Sequence, residues 1–315
     1  MSIDKLASAT TKGRVFPVPM WLLALLLLLG EFVLYAVWVT STFARHDQYV
    51  SAAAILVALA LVVRLLVAFA SYVLSRWKGI ELHSAHRMDL VTWVNFFFVE
   101  YWHLCMQNML LIPLRALFRT HSERGHGPST GPVLLLQHGY VNNGAVWFFT
   151  ARALENQGFR VFTIDQPPFA SIDTMADRLE AHVNKVLALT GATQLTLVAH
   201  SMGGLIARAY LRRFGGLKIA QLVTMGSPHH GTWHANLASG PNGLQMRPGN
   251  AWLDTLGQTP VSVPFTSIYS VHDTIISPQD SSIMPGANNI VLSGVGHVSM
   301  PSGRTARQAL IDALR

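Results

Sequence analysis

Ser201 lies in the run Ala199-His200-Ser201-Met202-Gly203-Gly204, between the apolar stretch Leu195-Thr196-Leu197-Val198 and a helical stretch opening Gly204-Leu205-Ile206-Ala207-Arg208. A strand that stops just before a serine, followed at once by a helix, forces that serine into a sharp and strained turn. The turn lifts the hydroxyl above the end of a sheet. It demands small neighbours, because strand and helix backbones approach closely there. Gly203 meets that demand, whereas Ala199 stands where a glycine is more usual. The chemistry such a serine performs is nucleophilic attack on an acyl carbon.

A serine hydroxyl is a poor nucleophile until a base takes its proton, and the base needs an acid to orient it. On a strand–turn–helix of this kind the partners follow in the order Ser, then Asp or Glu, then His. The acids after Ser201 are Asp254, Asp273, Asp280 and Asp312. Asp273 closely follows the apolar run Phe265–Val271, at the end of an expected strand. Asp254 and Asp312 fall in expected helices, and Asp280 is the runner-up. His297 is the only histidine beyond Asp273, in the glycine-flanked loop Ser293-Gly294-Val295-Gly296-His297. The expected catalytic set is therefore Ser201, Asp273 and His297.

The oxyanion of the tetrahedral intermediate needs two N–H donors. Met202, the first residue of the helix after Ser201, should supply one. The second is expected from Tyr140, in Gln137-His138-Gly139-Tyr140 after the first strand, where Gly139 lets the chain turn and the Tyr140 ring can line the acyl pocket. Other histidines read as structural: His200 beneath the turn, and His272 facing away from the partner of Asp273. His229, His230 and His234 lack carboxylates at ligand spacing, so no metal is expected there.

Together with Gly226-Ser227-Pro228-His229-His230-Gly231-Thr232, these pieces make residues 132–315 resemble the small bacterial lipases and esterases of the α/β-hydrolase superfamily. The Ala-His-Ser-Met-Gly form is typical of their minimal, essentially lidless members. The resemblance implies a triacylglycerol-lipase-like carboxylic-ester hydrolase with a preference for acyl chains and no cofactor. An acyltransferase or thioesterase would use the same triad. A non-catalytic binding module fits less well, since it would tolerate losing any member of the set. The 34 residues from His229 to Ser262 hold either a short lid, with Leu237, Leu244, Met246, Trp252 and Leu256 as apolar material, or an ordinary loop and helix.

The elements that must position these residues alternate. Val133–Gln137, Arg160–Ile164, Gln194–Ala199, Ile219–Met225, Phe265–Val271 and Asn289–Leu292 read as strands. Helices are expected within Ala145–Asn156 and over Ile172–Leu189, Gly203–Phe214 and Thr305–Leu314. Continuous apolar strands alternating with helices imply an α/β fold whose mostly parallel sheet is covered on both faces. A polar Gly/Pro-rich stretch, residues 121–131, reads as a linker into this domain.

Residues 1–120 have another character. Val18–Phe43 and Val50 to about Leu74 are each long enough to cross roughly 30 Å of hydrocarbon, and each carries one charge, Glu31 and Arg64. The first is too long for a signal-peptide core, and a second span follows it closely. Glu31 and Arg64 lie at similar distances from the loop at residues 44–49. An antiparallel hairpin would thus set them at equal depth, as an intramembrane pair. Asp89–Phe118 carries Asp89, Thr92, Asn95, Glu100, His103 and Gln107 near helical spacing, with Trp93, Phe96, Phe97, Phe98, Tyr101 and Trp102 mostly elsewhere. It reads as an aromatic-rich amphipathic helix in the interface, with a third span as the alternative.

Lys5, Lys12 and Arg14 before the first span, Arg45 alone in the loop, and Arg76, Lys78 and Arg87 after the second place both termini in the cytoplasm. The expectation is a multi-pass protein of a bacterial inner membrane with a cytoplasmic catalytic domain. Its partners are the bilayer and a lipid or other acyl ester. The net charge of +7 is shared by both halves without any long basic run, which excludes a nucleic-acid groove. One cysteine, Cys105, excludes an internal disulfide. Oligomeric state is not legible.

Overall fold

The computed structural model describes residues 18–42 and 49–315. The basic residues Lys5, Lys12, Arg14 and Arg45 and the loop between the two apolar segments lie outside them. Two antiparallel helices come first, α1 at Met20–Thr42 and α2 at Tyr49–Trp77. Both are long and apolar enough to cross a membrane. A core helix of a soluble domain would hide its flanks, yet Leu27, Val33 and Leu34 of α1 and Leu66, Val67 and Phe69 of α2 are exposed.

Between them Arg64 clamps Glu31 with both terminal guanidinium nitrogens, Nη1 to Oε1 and Nη2 to Oε2, each at 2.8 Å. The Tyr35 hydroxyl donates to the same carboxylate at 2.7 Å, and Arg64 Nη1 also reaches the Ala60 carbonyl at 2.9 Å. A two-pronged arginine–carboxylate pair fixes rotation and register as well as supplying energy. Glu31→Gln removes one partner and leaves the arginine charge uncompensated, at a cost of roughly 2.5–3.5 kcal/mol in a bilayer. A fall in the thermal midpoint and yield of purified protein is expected; an unchanged midpoint would show the pair to be idle.

The third helix, α3, spans Leu90–Met106 and passes into a single wide π-type turn at Gln107–Leu111. Asp89 caps it, accepting the Thr92 N–H at 2.7 Å. It stops well short of Phe118 because Pro113 lacks an N–H and cannot continue the helix. Its three faces have three different partners. Trp93 and Phe97 pack on α2, where the Trp93 indole donates to the Tyr72 hydroxyl and the Phe97 ring meets Phe69 edge-on. Leu90, Val91, Val94, Phe98 and Trp102 stay exposed. The polar stripe expected to face water divides: Asp89, Thr92 and Asn95 are exposed, but Glu100, His103 and Gln107 turn into the C-terminal domain.

That domain is a six-stranded, wholly parallel sheet in the order β2-β1-β3-β4-β5-β6. The strands are β1 Val133–Gln137, β2 Arg160–Ile164, β3 Leu195–His200, β4 Ile219–Met225, β5 Phe265–Ser270 and β6 Asn288–Leu292. Helices α4 (Phe148–Glu155), α5 (Ile172–Thr190), α6 (Met202–Phe214), α7 (Gly240–Gln245), α8 (Ala251–Gly257) and α9 (Arg304–Ala313) connect and cover them. Apolar runs without alternation are what a sheet buried on both faces requires. Val133, Leu135 and Leu197 face α5 and α6, while Leu134, Leu136, Val198 and Ile268 pack in a second cluster with α4, α9, Ile112 and Met20 of α1.

Residues ahead of β1 are partly docked rather than free. The edge of β2 is covered by Thr120, Ser122 and Glu123: Ser122 Oγ accepts the Val161 N–H at 2.9 Å, Glu123 accepts the Thr163 N–H at 2.8 Å, and Thr120 Oγ1 donates to the Val161 carbonyl at 2.7 Å. Buried Arg115 braces the same edge through Asp165 and Thr163.

Candidate active site

The strand β3 ends at His200 and α6 begins at Met202, so Ser201 alone makes the turn. Its backbone lies at φ +58°, ψ −131°, a conformation that L-residues avoid at a cost of about 1–3 kcal/mol. Its N–H donates to the Met225 carbonyl of β4 at 2.9 Å, which pins the turn to the sheet. The small neighbours are sterically required. A Cβ at Gly203 would come within 2.8 Å of the His138 carbonyl, and one at Gly139 within 2.7 Å of Ser201 Cβ. Ala199, by contrast, fits as a fully buried strand residue paired between Gln137 and Thr224.

Asp273 follows β5 and His297 lies in the loop between β6 and α9. The structure brings them to Ser201: His297 Nε2 is 2.9 Å from Ser201 Oγ, and His297 Nδ1 is 2.9 Å from Asp273 Oδ2. All three side chains are almost fully buried. The other oxygen of Asp273, Oδ1, accepts the N–H groups of Ile275 and Ile276 at 2.8 and 2.7 Å, so the carboxylate cannot rotate away from the imidazole. The competing acids Asp254, Asp280 and Asp312 are exposed at the surface.

Met202 opens α6, so its N–H is one of the first-turn donors that a helix cannot satisfy internally. Tyr140 follows Gly139, whose backbone lies against Ser201. The Gly139 carbonyl is bound by His138 Nδ1 at 2.8 Å, while His138 Nε2 accepts the Gln166 N–H at 2.9 Å. Because a trans peptide points its N–H opposite its carbonyl, His138 sets the direction of the Tyr140 N–H. Burial lowers the His138 pKa, which keeps the ring neutral in this role. Val141, the next residue, is β-branched yet has φ +50°, a second strained position besides Ser201.

The Tyr140 ring does not simply line a pocket. Its hydroxyl accepts the Ser239 N–H at 2.8 Å and donates to the Ser239 carbonyl at 2.9 Å, and its ring meets Phe169 edge-on. It is a strut between the Gly139 loop and the start of α7. In the segment beyond β4, Met246 and Leu256 belong to the core, while Leu237 and Leu244 are exposed.

His200 lies beside the His297 ring rather than only beneath the turn. Its ring centre is 4.6 Å from that of His297, and its Nε2 donates to the His297 carbonyl at 3.2 Å. Burial, and then the nearness of His297, hold its pKa well below the usual histidine range. The His200 ring is therefore held neutral beside His297. His272 Nδ1 accepts the Gly294 N–H at 3.1 Å, holding the His297 loop from its other side. His229 bonds Thr224 and Arg208, and His234 faces Ser277. These histidines diverge to separate partners.

Residues 132–242 match the family model described as alpha/beta hydrolase fold. A triacylglycerol lipase of Pseudarthrobacter phenanthrenivorans is 31% identical over 157 residues, covering 45% of this chain and 46% of the relative. Lipase B of Pseudozyma antarctica is 30% identical over 158 residues, covering 44% of this chain and 46% of the relative. The chain thus spans less than half the length of these curated relatives. Among solved structures, a mature Bacillus licheniformis lipase superposes with a TM-score of 0.54 at 17% identity, over 58% of this chain and 91% of that one. An Aspergillus fumigatus lipase B gives 0.53 at 19% identity, over 62% and 54%. The C-terminal domain of this chain has the α/β-hydrolase fold and is similar to lipases and esterases.

Proposed function

We propose that the chain is a membrane-anchored serine hydrolase that cleaves lipid-like carboxylic esters through an acyl-enzyme. The observation that carries the proposal is the unbroken relay Ser201–His297–Asp273, with both links at 2.9 Å. In the first step His297 Nε2 takes the Ser201 proton as Oγ attacks the acyl carbon. Asp273 holds the Nδ1–H tautomer and stabilises the imidazolium that forms. The N–H groups of Met202 and Tyr140 receive the charge that develops on the carbonyl oxygen. His297 then returns the proton to the leaving alcohol. A water, activated in the same way, releases the acid from the acyl-enzyme.

The two apolar helices support anchoring. Met20 at the start of α1 packs with Ile112 against the hydrolase core, and the end of α2 also meets that domain, where the Ile80 N–H donates to Gln279 at 3.0 Å and Lys78 lies over the Trp233 ring. Both outer ends of the hairpin thus meet the same side. That arrangement supports a catalytic domain on the side of the N-terminus, with α3 beside the hairpin and not across it. The exposed stripe of α3 and the exposed Phe169, Leu237 and Leu244 supply apolar surface for an acyl substrate at a bilayer.

Detergent-purified protein assayed on p-nitrophenyl esters from acetyl to palmitoyl tests this reading. Hydrolysis that favours the longer chains, with labelling by a fluorophosphonate, is the expected result. Hydrolysis of acetate alone would remove the lipid-like substrate but keep the serine hydrolase. Neither hydrolysis nor labelling would favour a binding module. Faster transfer to an added alcohol or thiol than to water would favour the acyltransferase.

A further inference from the structure

Glu100 is a buried carboxylate on α3 that the mechanism above does not use. It is 5% exposed and lies about two hundred residues in sequence from the groups it holds. Its Oε2 accepts the Val298 N–H at 2.9 Å and the Thr274 hydroxyl at 3.2 Å, and its Oε1 accepts the Ser299 N–H at 2.9 Å. Thr274 in turn accepts the His297 N–H at 3.3 Å. Every backbone N–H from His297 to Ser299 is thereby fixed directly or through one hydroxyl by this single side chain. Two neighbours on the same helix face extend the grip: Gln107 donates to the Val298 carbonyl at 2.7 Å, and His103 Nδ1 pairs with the Ser302 hydroxyl at 2.9 Å. On the other flank, Gly296 leaves no room for a side chain, since a Cβ there would collide with the Glu100 carboxyl group.

We infer that Glu100, carried by the helix that packs on the apolar hairpin, is a positioning residue for His297 and makes catalytic competence depend on the seating of α3. The carboxylate is suited to this, because both oxygens act only as acceptors and three donors converge on them. Burial raises its pKa, and the ring of donors opposes that rise. An amide offers a single accepting oxygen and an alanine none. Without the clamp the His297 loop can shift, and a displacement near 1 Å between base and nucleophile costs about 10²-fold in rate. The inference rests on His297 being the base of the proposed hydrolase.

The test uses the full-length protein in detergent, a short soluble ester, and active-site titration with a fluorophosphonate to count competent sites. Glu100→Ala should lower kcat by about 10²-fold, with KM within about threefold, and Glu100→Gln should restore part of the loss. Gly296→Ala should lower kcat alone yet add little in the Glu100→Ala background, because truncation vacates the space its methyl needs. Should Glu100→Ala not fold, Glu100→Gln and Gly296→Ala carry the comparison. A kcat per titrated site within twofold of wild type in the Glu100 variants, or additive losses in the double variant, would overturn the inference. Inactive wild-type protein would instead count against the hydrolase reading itself.

Discussion

Ser201→Ala is expected to lower turnover on any ester by on the order of 10⁴–10⁶-fold and to abolish fluorophosphonate labelling. Alanine keeps the Cβ, so the backbone at φ +58° remains as strained as before, and the turn stays pinned by its N–H bond to Met225. The lost hydroxyl leaves His297 Nε2 without its 2.9 Å partner but removes no packing of consequence. The melting midpoint should therefore stay close to that of the wild type while the chemistry disappears. Single-turnover assays beside a thermal melt separate the two effects. Full activity in this variant would end the mechanism.

The second large effect is expected from Asp273→Asn, at about 10⁴-fold in kcat. The direction follows from the hydrogen bonds around the carboxylate. The N–H groups of Ile275 and Ile276 both donate to Oδ1. An asparagine must keep its oxygen there and turn its NH₂ toward His297. That NH₂ is a donor, so Nδ1 must become the acceptor and the ring proton moves to Nε2. The imidazole then presents a proton to Ser201 instead of a lone pair, and cannot act as base. Binding should change little, so KM is expected to stay near the wild-type value. Steady-state kinetics on a soluble ester check this, and a loss of less than tenfold would show that Asp273 does not set the tautomer.

The parts of this architecture legible in the sequence share one property: they are decided locally or by order along the chain. Four consecutive apolar residues at Val133–Leu136 announce a buried strand, and Gly203 announces a close turn. Asp273 and His297 stand out because acids and histidines after Ser201 are few. Glu31 and Arg64 could be matched because a short loop fixes their depths. What a residue touches across long separations leaves no such local mark. The polar stripe of α3 was visible as a face, but Glu100 meets Val298 and Ser299 nearly two hundred positions later. Periodicity says that a face is polar and not whether water or protein satisfies it. His138 is hidden similarly, since its effect runs through a peptide plane, and so are the bonds of Ser122 and Glu123 to β2, because polar residues read alike in a loop and on a strand edge.

The cover over β2 has a consequence for dividing this protein. A parallel sheet has two edge strands, and an uncovered one offers its row of N–H and C=O groups to any other chain. Here Thr120, Ser122 and Glu123 occupy that row along β2, and Arg115 braces them from the segment that follows α3. A chain begun at the start of β1 would keep Ser201, Asp273 and His297 and would shed the apolar hairpin. It would also bare a sticky β-edge. Cutting the chain at that point would exchange an exposed apolar hairpin for a strand edge prone to self-association.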